Sequence, residues 1–249
     1  MDGMGAFLSC RTSKICIGDM IQRRREYGKK EPSRDAHKIY VVCEGKGTEP
    51  DYFGFFEGLS SNLQVIPIPP KYGTDPLKLM ERAQQVLIGD EREYTIDYQH
   101  GDTVWFVIDT DEWEKQGKIA PLRDFCGQQN ASIPVSLDEV KAYNAWNVAQ
   151  SNPSFEIWLY YHFYDKMPEE EEVEKCASFK EYVNDTISGG FNFDKDQVRL
   201  EDAIANTERY FSLDGRGLVR KYATEVFALG KEIDGFVKTD LKKLRNKLL

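Results

Sequence analysis

The fold of this chain is decided by Lys38-Ile39-Tyr40-Val41-Val42-Cys43-Glu44-Gly45-Lys46-Gly47-Thr48-Glu49-Pro50-Asp51-Tyr52-Phe53. Residues 39–43 form a continuous β-branched and aromatic run, the length and composition of a buried strand. The run stops at a loop in which Gly45 and Gly47 let the backbone turn tightly and approach a ligand closely. Pro50 suits the first turn of a helix, with Thr48 or Glu49 near its cap. Tyr52, Phe53, Phe56 and Leu59 then follow at helical spacing. The stretch therefore reads as strand, loop and helix.

Working outward, residues 63–68 read as a second strand, placed at an edge by Pro67. Asp75-Pro76 opens a second helix carrying Leu77, Met80, Ala83, Gln84 and Leu87. After a polar stretch, Thr103-Val104-Trp105-Phe106-Val107-Ile108 is a third buried strand that ends in Asp109-Thr110-Asp111-Glu112. A helix is expected within 119–129. Residues 132–137 read as extended, 137–143 as helical and 145–149 as a further short strand. Asn152-Pro153-Ser154 launches an aromatic helix over 155–164. Beyond the acidic run 169–174 the pattern is helical over 177–187, 197–212 and 217–246. Strands alternating with helices imply an α/β fold with a mostly parallel sheet flanked by helices, and a helical C-terminal region. The expected organisation is a basic N-terminal arm over 1–37, an α/β core over 38–165 and a helical region over 166–249, either a lid or an appended subdomain.

Composition narrows the class. The chain has 249 residues, of which 41% are hydrophobic and 12% aromatic, enough for a sizeable core. Disorder, collagen and coiled coil are excluded as descriptions of the whole. No apolar run approaches a membrane span, and residues 1–21 do not read as a secretory leader, so a cytoplasmic protein is expected. Five cysteines are scattered without a C-x-x-C pair, and none of the three histidines is spaced to partner one. This argues against a zinc site or a disulfide framework, and Cys43 reads as a small buried hydrophobe.

The net charge of −9 hides an asymmetry: residues 1–40 carry +4, residues 41–215 carry −18 and residues 216–249 carry +5. A chain this acidic cannot grip nucleic acid by overall charge, so any grip must come from bound metal, the basic ends or a partner.

The acids at strand ends carry the chemistry. Ligands of open parallel sheets bind beyond the carboxyl ends of the strands. Glu44 follows one strand directly, and Asp109 and Asp111 follow another. Asp109 and Asp111 project to one side while the chain stays extended. Carboxylates so close raise one another's pKa, an objection that a divalent cation removes, and hard oxygen ligands suit Mg²⁺ or Mn²⁺. Aspartates at strand ends also simply end strands or cap helices. The loop is neither a Walker A sequence nor G-x-G-x-x-G. Glu156 stands in the first turn of its helix, where the dipole alone favours a carboxylate and a ligand role competes equally. His162, on the same face as Phe155, Trp158 and Leu159, reads as a core histidine.

The three segments KIYVVCEGKGTEPDYF, VWFVIDTDE and SNPSFEIWLYYHF, in this order and spacing, resemble the RloB-like family of prokaryotic phage-defence proteins, relatives of the metal-binding Toprim domains of topoisomerases, primases and nucleases. The resemblance covers residues 38–165 well and the helical region only in outline. It implies a Toprim-like sheet in which Glu44 matches the Toprim glutamate and Asp109 and Asp111 match the D-x-D metal ligands. It adds Glu49 as a candidate further ligand and Glu156 as the acid that completes the site. It also implies control by a partner ATPase.

The resulting expectation is a Mg²⁺- or Mn²⁺-dependent nuclease cleaving phosphodiester bonds of DNA or RNA, the effector of an anti-phage, abortive-infection system. Glu44, Asp109 and Asp111 are its catalytic residues, and Glu44, Glu49, Asp109, Asp111 and Glu156 its metal ligands. Arg220 and Lys221 are its candidate nucleic-acid contacts. Glu44 could instead serve as general base. The competing expectations are a non-catalytic sensor or regulatory module that binds an ATPase partner or nucleic acid, and a small-molecule phosphotransfer enzyme.

Overall fold

A computed structural model describes residues 29–110, 113–133 and 143–248. Five strands form one sheet: β1 (His37–Cys43), β2 (Leu63–Ile68), β3 (Thr103–Asp109), β4 (Trp146–Asn152) and β5 (Ala223–Thr224). Their order is β2-β1-β3-β4-β5; the first four run parallel and β5 is antiparallel to β4. The expected α/β fold with a mostly parallel sheet is therefore present, and Pro67 does lie on an edge strand.

Both faces of the sheet are covered, which is why β1 and β3 are apolar throughout rather than alternating. Successive strand residues point to opposite faces. Tyr40, Val42, Phe106 and Ile108 pack on one side with residues of α2 (Pro76–Ala83) and α3 (Ile119–Ser132). Ile39, Val41, Cys43, Trp105 and Val107 pack on the other, where the cover is α1 (Thr48–Gly54), α4 (Glu156–Tyr161), α6 (Phe179–Thr186), α7 (Leu200–Tyr210) and α8 (Val226–Leu248). The short α5 (Glu170–Val173) lies in the acidic run and buries no residue. Asp75 caps α2 by accepting the N–H of Leu77, with Pro76 in the first turn as the sequence indicates.

The C-terminal region is less purely helical than its sequence suggests. Residues 217–225, expected to open the last helix, instead make a bridge between Leu213 and Val219 and then form β5. Tyr222 takes a left-handed φ of 63°, and its N–H donates to the Asn152 carbonyl at 2.7 Å. Pairing with β4 fixes this segment, so local helical pattern is overridden by a distant strand. The Thr224 hydroxyl then accepts the Val226 N–H, starting α8. Glu232 of α8 closes the N-terminal end of the sheet by accepting from Thr103 Oγ1 at 2.6 Å and Trp105 Nε1 at 2.8 Å. One apolar core thus runs from Ile39 to Leu241.

Other boundaries move modestly. The expected strand 145–149 extends to Asn152, and the helix expected over 155–164 is regular only over Glu156–Tyr161. A 3₁₀ turn, Asp196–Arg199, leads into α7. The elements expected over 132–137 and 137–143 fall largely outside the described residues, as do Asp111 and residues 1–28 of the basic arm. Residues 30–33 run beside the segment that leads into β2, with Lys30 N–H bonded to the Gly58 carbonyl and Ser33 N–H to the Ser61 carbonyl. Among the described residues no helix is long and apolar enough to cross a membrane.

Candidate functional site

At the carboxyl ends of β1 and β3 lies a cleft of about 460 Å³ lined by Glu44, Glu49, Asp109, Glu156, Lys46 and Lys180, with Gly45, Gly47, Thr48, Thr74 and Phe155 completing it. The register explains the meeting of the first two acids. Cys43 pairs with Val107, so Glu44 and Asp109 leave their strands at nearly the same level. The Asp109 N–H donates to Glu44 Oε2 at 2.9 Å, and the Trp113 indole donates to Glu44 Oε1 at 2.8 Å.

Glu49 comes from the first turn of α1 and folds back over its own loop. Its Oε1 accepts the Gly45 N–H at 2.9 Å. A Cβ at position 45 would lie 2.1 Å from Glu49 Oε2, so the glycine is required for this close approach. Burial pushes the Glu49 carboxyl above its ordinary pKa; the N–H groups of Glu49 and Gly45 oppose the rise, and the nearby Glu156 charge adds to it.

Glu156 begins α4. Its Oε2 accepts from the Ser154 hydroxyl at 2.7 Å, and its Oε1 lies 3.3 Å from Lys180 Nζ. Asp109 reaches the same turn, since its Oδ1 accepts the Phe155 N–H at 2.8 Å. Lys180 arrives from α6 and also lies 3.5 Å from Thr48 Oγ1.

Four of the five acids expected at a metal site therefore meet in one cleft, and the fifth, Asp111, lies outside the described residues. Their chemistry suits a hard cation, because all are carboxylates. Glu49 and Glu156 stand close enough for their charges to interact, and Lys180 offsets part of that repulsion. The gathering is loose, however: among the described residues no three acidic, histidine or cysteine side chains stand close enough together to hold a metal ion.

The cations of the cleft are Lys46 and Lys180, neither of which the sequence singles out. Lys46 could have been noticed between the two loop glycines. Lys180 carries no local signal, because only the docking of α6 brings it there. Arg220 and Lys221 are exposed just before β5, outside the cleft lining, and Lys221 is paired with Glu170. His162 is a core residue as expected: it contacts the Tyr52 hydroxyl at 3.1 Å and the Trp158 carbonyl at 2.9 Å. Burial pushes its pKa down to about 3, so its ring is neutral. Cys43 is likewise fully buried, its thiol pushed up by burial.

A parallel α/β sheet with acids gathered beyond its carboxyl ends is the class that fold and site define. The family model for RloB-like proteins matches residues 39–233, and the chain belongs to that family. The matched span holds Glu44, Glu49, Asp109 and Glu156. No curated protein and no solved structure matches it.

Proposed function

We propose that this protein is a divalent-cation-dependent nuclease with a Toprim-like site, acting on phosphodiester bonds of DNA or RNA. The observation that carries the reading is the convergence of Glu44, Glu49, Asp109 and Glu156 on one cleft at the carboxyl ends of adjacent parallel strands, with Lys46 and Lys180 in its wall. Glu44 and Asp109 hold the cation, Glu49 or Glu156 adds a further oxygen, and Asp111 follows Asp109 by the D-x-D spacing. The chemistry Mg²⁺ or Mn²⁺ supplies at such a site is polarisation of the phosphoryl oxygen, activation of water and stabilisation of the leaving oxygen. Lys180 and Lys46 draw the phosphodiester in and offset its charge. The Asp109 N–H fixes one oxygen of Glu44, so the two acids act as a unit.

The same reading makes the protein the effector of an anti-phage, abortive-infection system under a partner ATPase. Family membership supports this, as does charge: a chain of net charge −9 does not hold nucleic acid well alone. The basic C-terminal helix is largely engaged within the molecule, Lys231 with Glu208, Lys238 with Glu201 and Arg245 with Asp202. A second reading, a non-catalytic regulatory module, draws on the loose spacing of the described acids.

Purified protein incubated with Mg²⁺ or Mn²⁺ on DNA and on RNA, with and without the partner ATPase, separates these. Cleavage by wild type that disappears in Asp109→Ala is the expected result. Identical behaviour of the two proteins in cleavage and in phage protection overturns the nuclease reading.

A further inference from the structure

We propose that Trp113 is a positioning residue for the Glu44 carboxylate, holding it in the orientation in which it receives a divalent cation; the inference rests on the cation-site reading above. The Trp113 indole donates to Glu44 Oε1 at 2.8 Å while the Asp109 peptide donates to Oε2 at 2.9 Å. The last torsion of a glutamate is broad and poorly defined by itself. Two donors on two different oxygens fix it. A carboxylate oxygen accepts more than one partner, so these bonds orient the group without excluding a cation.

Trp113 is itself held at its backbone and at its ring. Its backbone N–H donates to the Thr110 carbonyl at 3.0 Å, and its carbonyl accepts the Lys118 N–H at 3.0 Å. Lys118 Nζ lies 4.8 Å from the ring centroid and reaches Asp75 Oδ1 at 3.7 Å. Asp75 is the cap of α2, so the ring is braced between the end of β3 and the start of that helix. Trp113 differs in this from the other tryptophans. Trp105, Trp146 and Trp158 are buried in the core, whereas Trp113 is only partly buried and aims its N–H at an acid of the cleft. Groups that hydrogen-bond to a metal ligand typically change metal affinity by about 10–100-fold when removed.

The test is Mn²⁺ binding to the purified full-length protein, measured by calorimetry and by quenching of tryptophan fluorescence. Trp113→Phe keeps a ring and loses the N–H. It is expected to bind Mn²⁺ about 10–100-fold more weakly while still unfolding cooperatively, and to lose the part of the quenching that Trp113 contributes. Lys118→Met keeps the indole and removes its brace; it serves if Trp113→Phe does not fold, and a several-fold weaker affinity is expected. Wild-type affinity in these variants overturns the positioning role and leaves the cation site standing. Failure of wild type itself to bind Mn²⁺ overturns the site and the role together.

Discussion

The Asp109 carboxylate accepts the backbone N–H of Phe155 at 2.8 Å, which ties the end of β3 to the residue just before α4. It is one of several bonds that join two of the three sequence blocks, beside those from Thr110 to the Ser151 carbonyl. Because Glu156 is the next residue, the same contact sets how far that acid stands from the strand ends. Asp109 is therefore structural as well as chemical, and its substitutions should separate the two roles.

Asp109→Ala removes an ionic acceptor from a partly buried N–H and should cost about 1–3 kcal/mol in urea unfolding. Asp109→Asn keeps a carbonyl acceptor for Phe155 and should cost clearly less. Both should lose cation-dependent cleavage. An Asp109→Asn protein that is stable and fully active would separate the cleft from catalysis.

Gly45→Ala places a methyl group against the Glu49 carboxylate, 2.1 Å from Oε2 before relaxation. Overpacking of this kind typically costs about 1–3 kcal/mol. Glu49→Ala in the same chain removes the obstacle, so the double variant should be more stable than the sum of the single effects predicts. Strict additivity in a double-mutant cycle would show that the loop simply moves aside.

Lys180→Ala should cost at most about 1 kcal/mol of stability, since Lys180 is 59% exposed, although its partner Glu156 is only 11% exposed. Nucleic-acid affinity or cleavage should nonetheless fall, roughly tenfold as an order of magnitude for one lost phosphate contact. Lys221→Ala, which breaks a pair with Glu170 outside the cleft lining, should fall much less. The reverse ranking in a filter-binding or cleavage assay would move the nucleic-acid path toward β5.

His162 gives a pH dependence with a definite sign. Its folded pKa, about 3, is depressed from an ordinary 6.5. The unfolded chain therefore takes up a proton that the native state refuses. The contribution is unaffected above about pH 6.5 and stability is lost as pH falls from there toward 3, by up to about 1.4 kcal/mol per pH unit. His162→Gln should lower stability at pH 7 by disturbing Tyr52 and the Trp158 carbonyl, yet flatten the acid limb. Urea titrations between pH 4 and 7 that show parallel slopes for the two proteins would refute this.

Much of the sheet was legible because buried parallel strands write their burial into consecutive residues. β1 and β3 stand out as apolar, β-branched runs for that reason, and Pro67 marks β2 as the edge. β4 was only half visible. Its second half, Gln150-Ser151-Asn152, is polar, and Gln150 and Ser151 are buried only because distant groups satisfy them: Ser151 Oγ meets Thr224 Oγ1 at 2.8 Å, Gln150 Nε2 donates to Thr110 Oγ1 at 2.8 Å, and Gln150 N–H donates to Glu225. β5 was invisible, since two residues with a left-handed tyrosine before them carry no strand pattern of their own.

The acids of the cleft follow the same division. Glu44 and Asp109 could be placed from sequence, because both follow strands whose direction and adjacency the apolar runs imply. Glu49 and Glu156 needed the three-block resemblance, since an acid in a first helical turn is ordinary by itself.

By itself the sequence determined the α/β alternation, the end of the sheet at which acids collect, and membership of the RloB-like family. Only the tertiary structure decided which basic groups face those acids and what holds their carboxylates in place. Lys180 comes from a helix 136 positions after Glu44, and Trp113 reaches Glu44 across 69 positions. Strand burial is a property of neighbouring residues and is written locally. A hydrogen bond or ion pair across a cleft depends on how whole elements dock, and that information resides in the packed core rather than in any single segment.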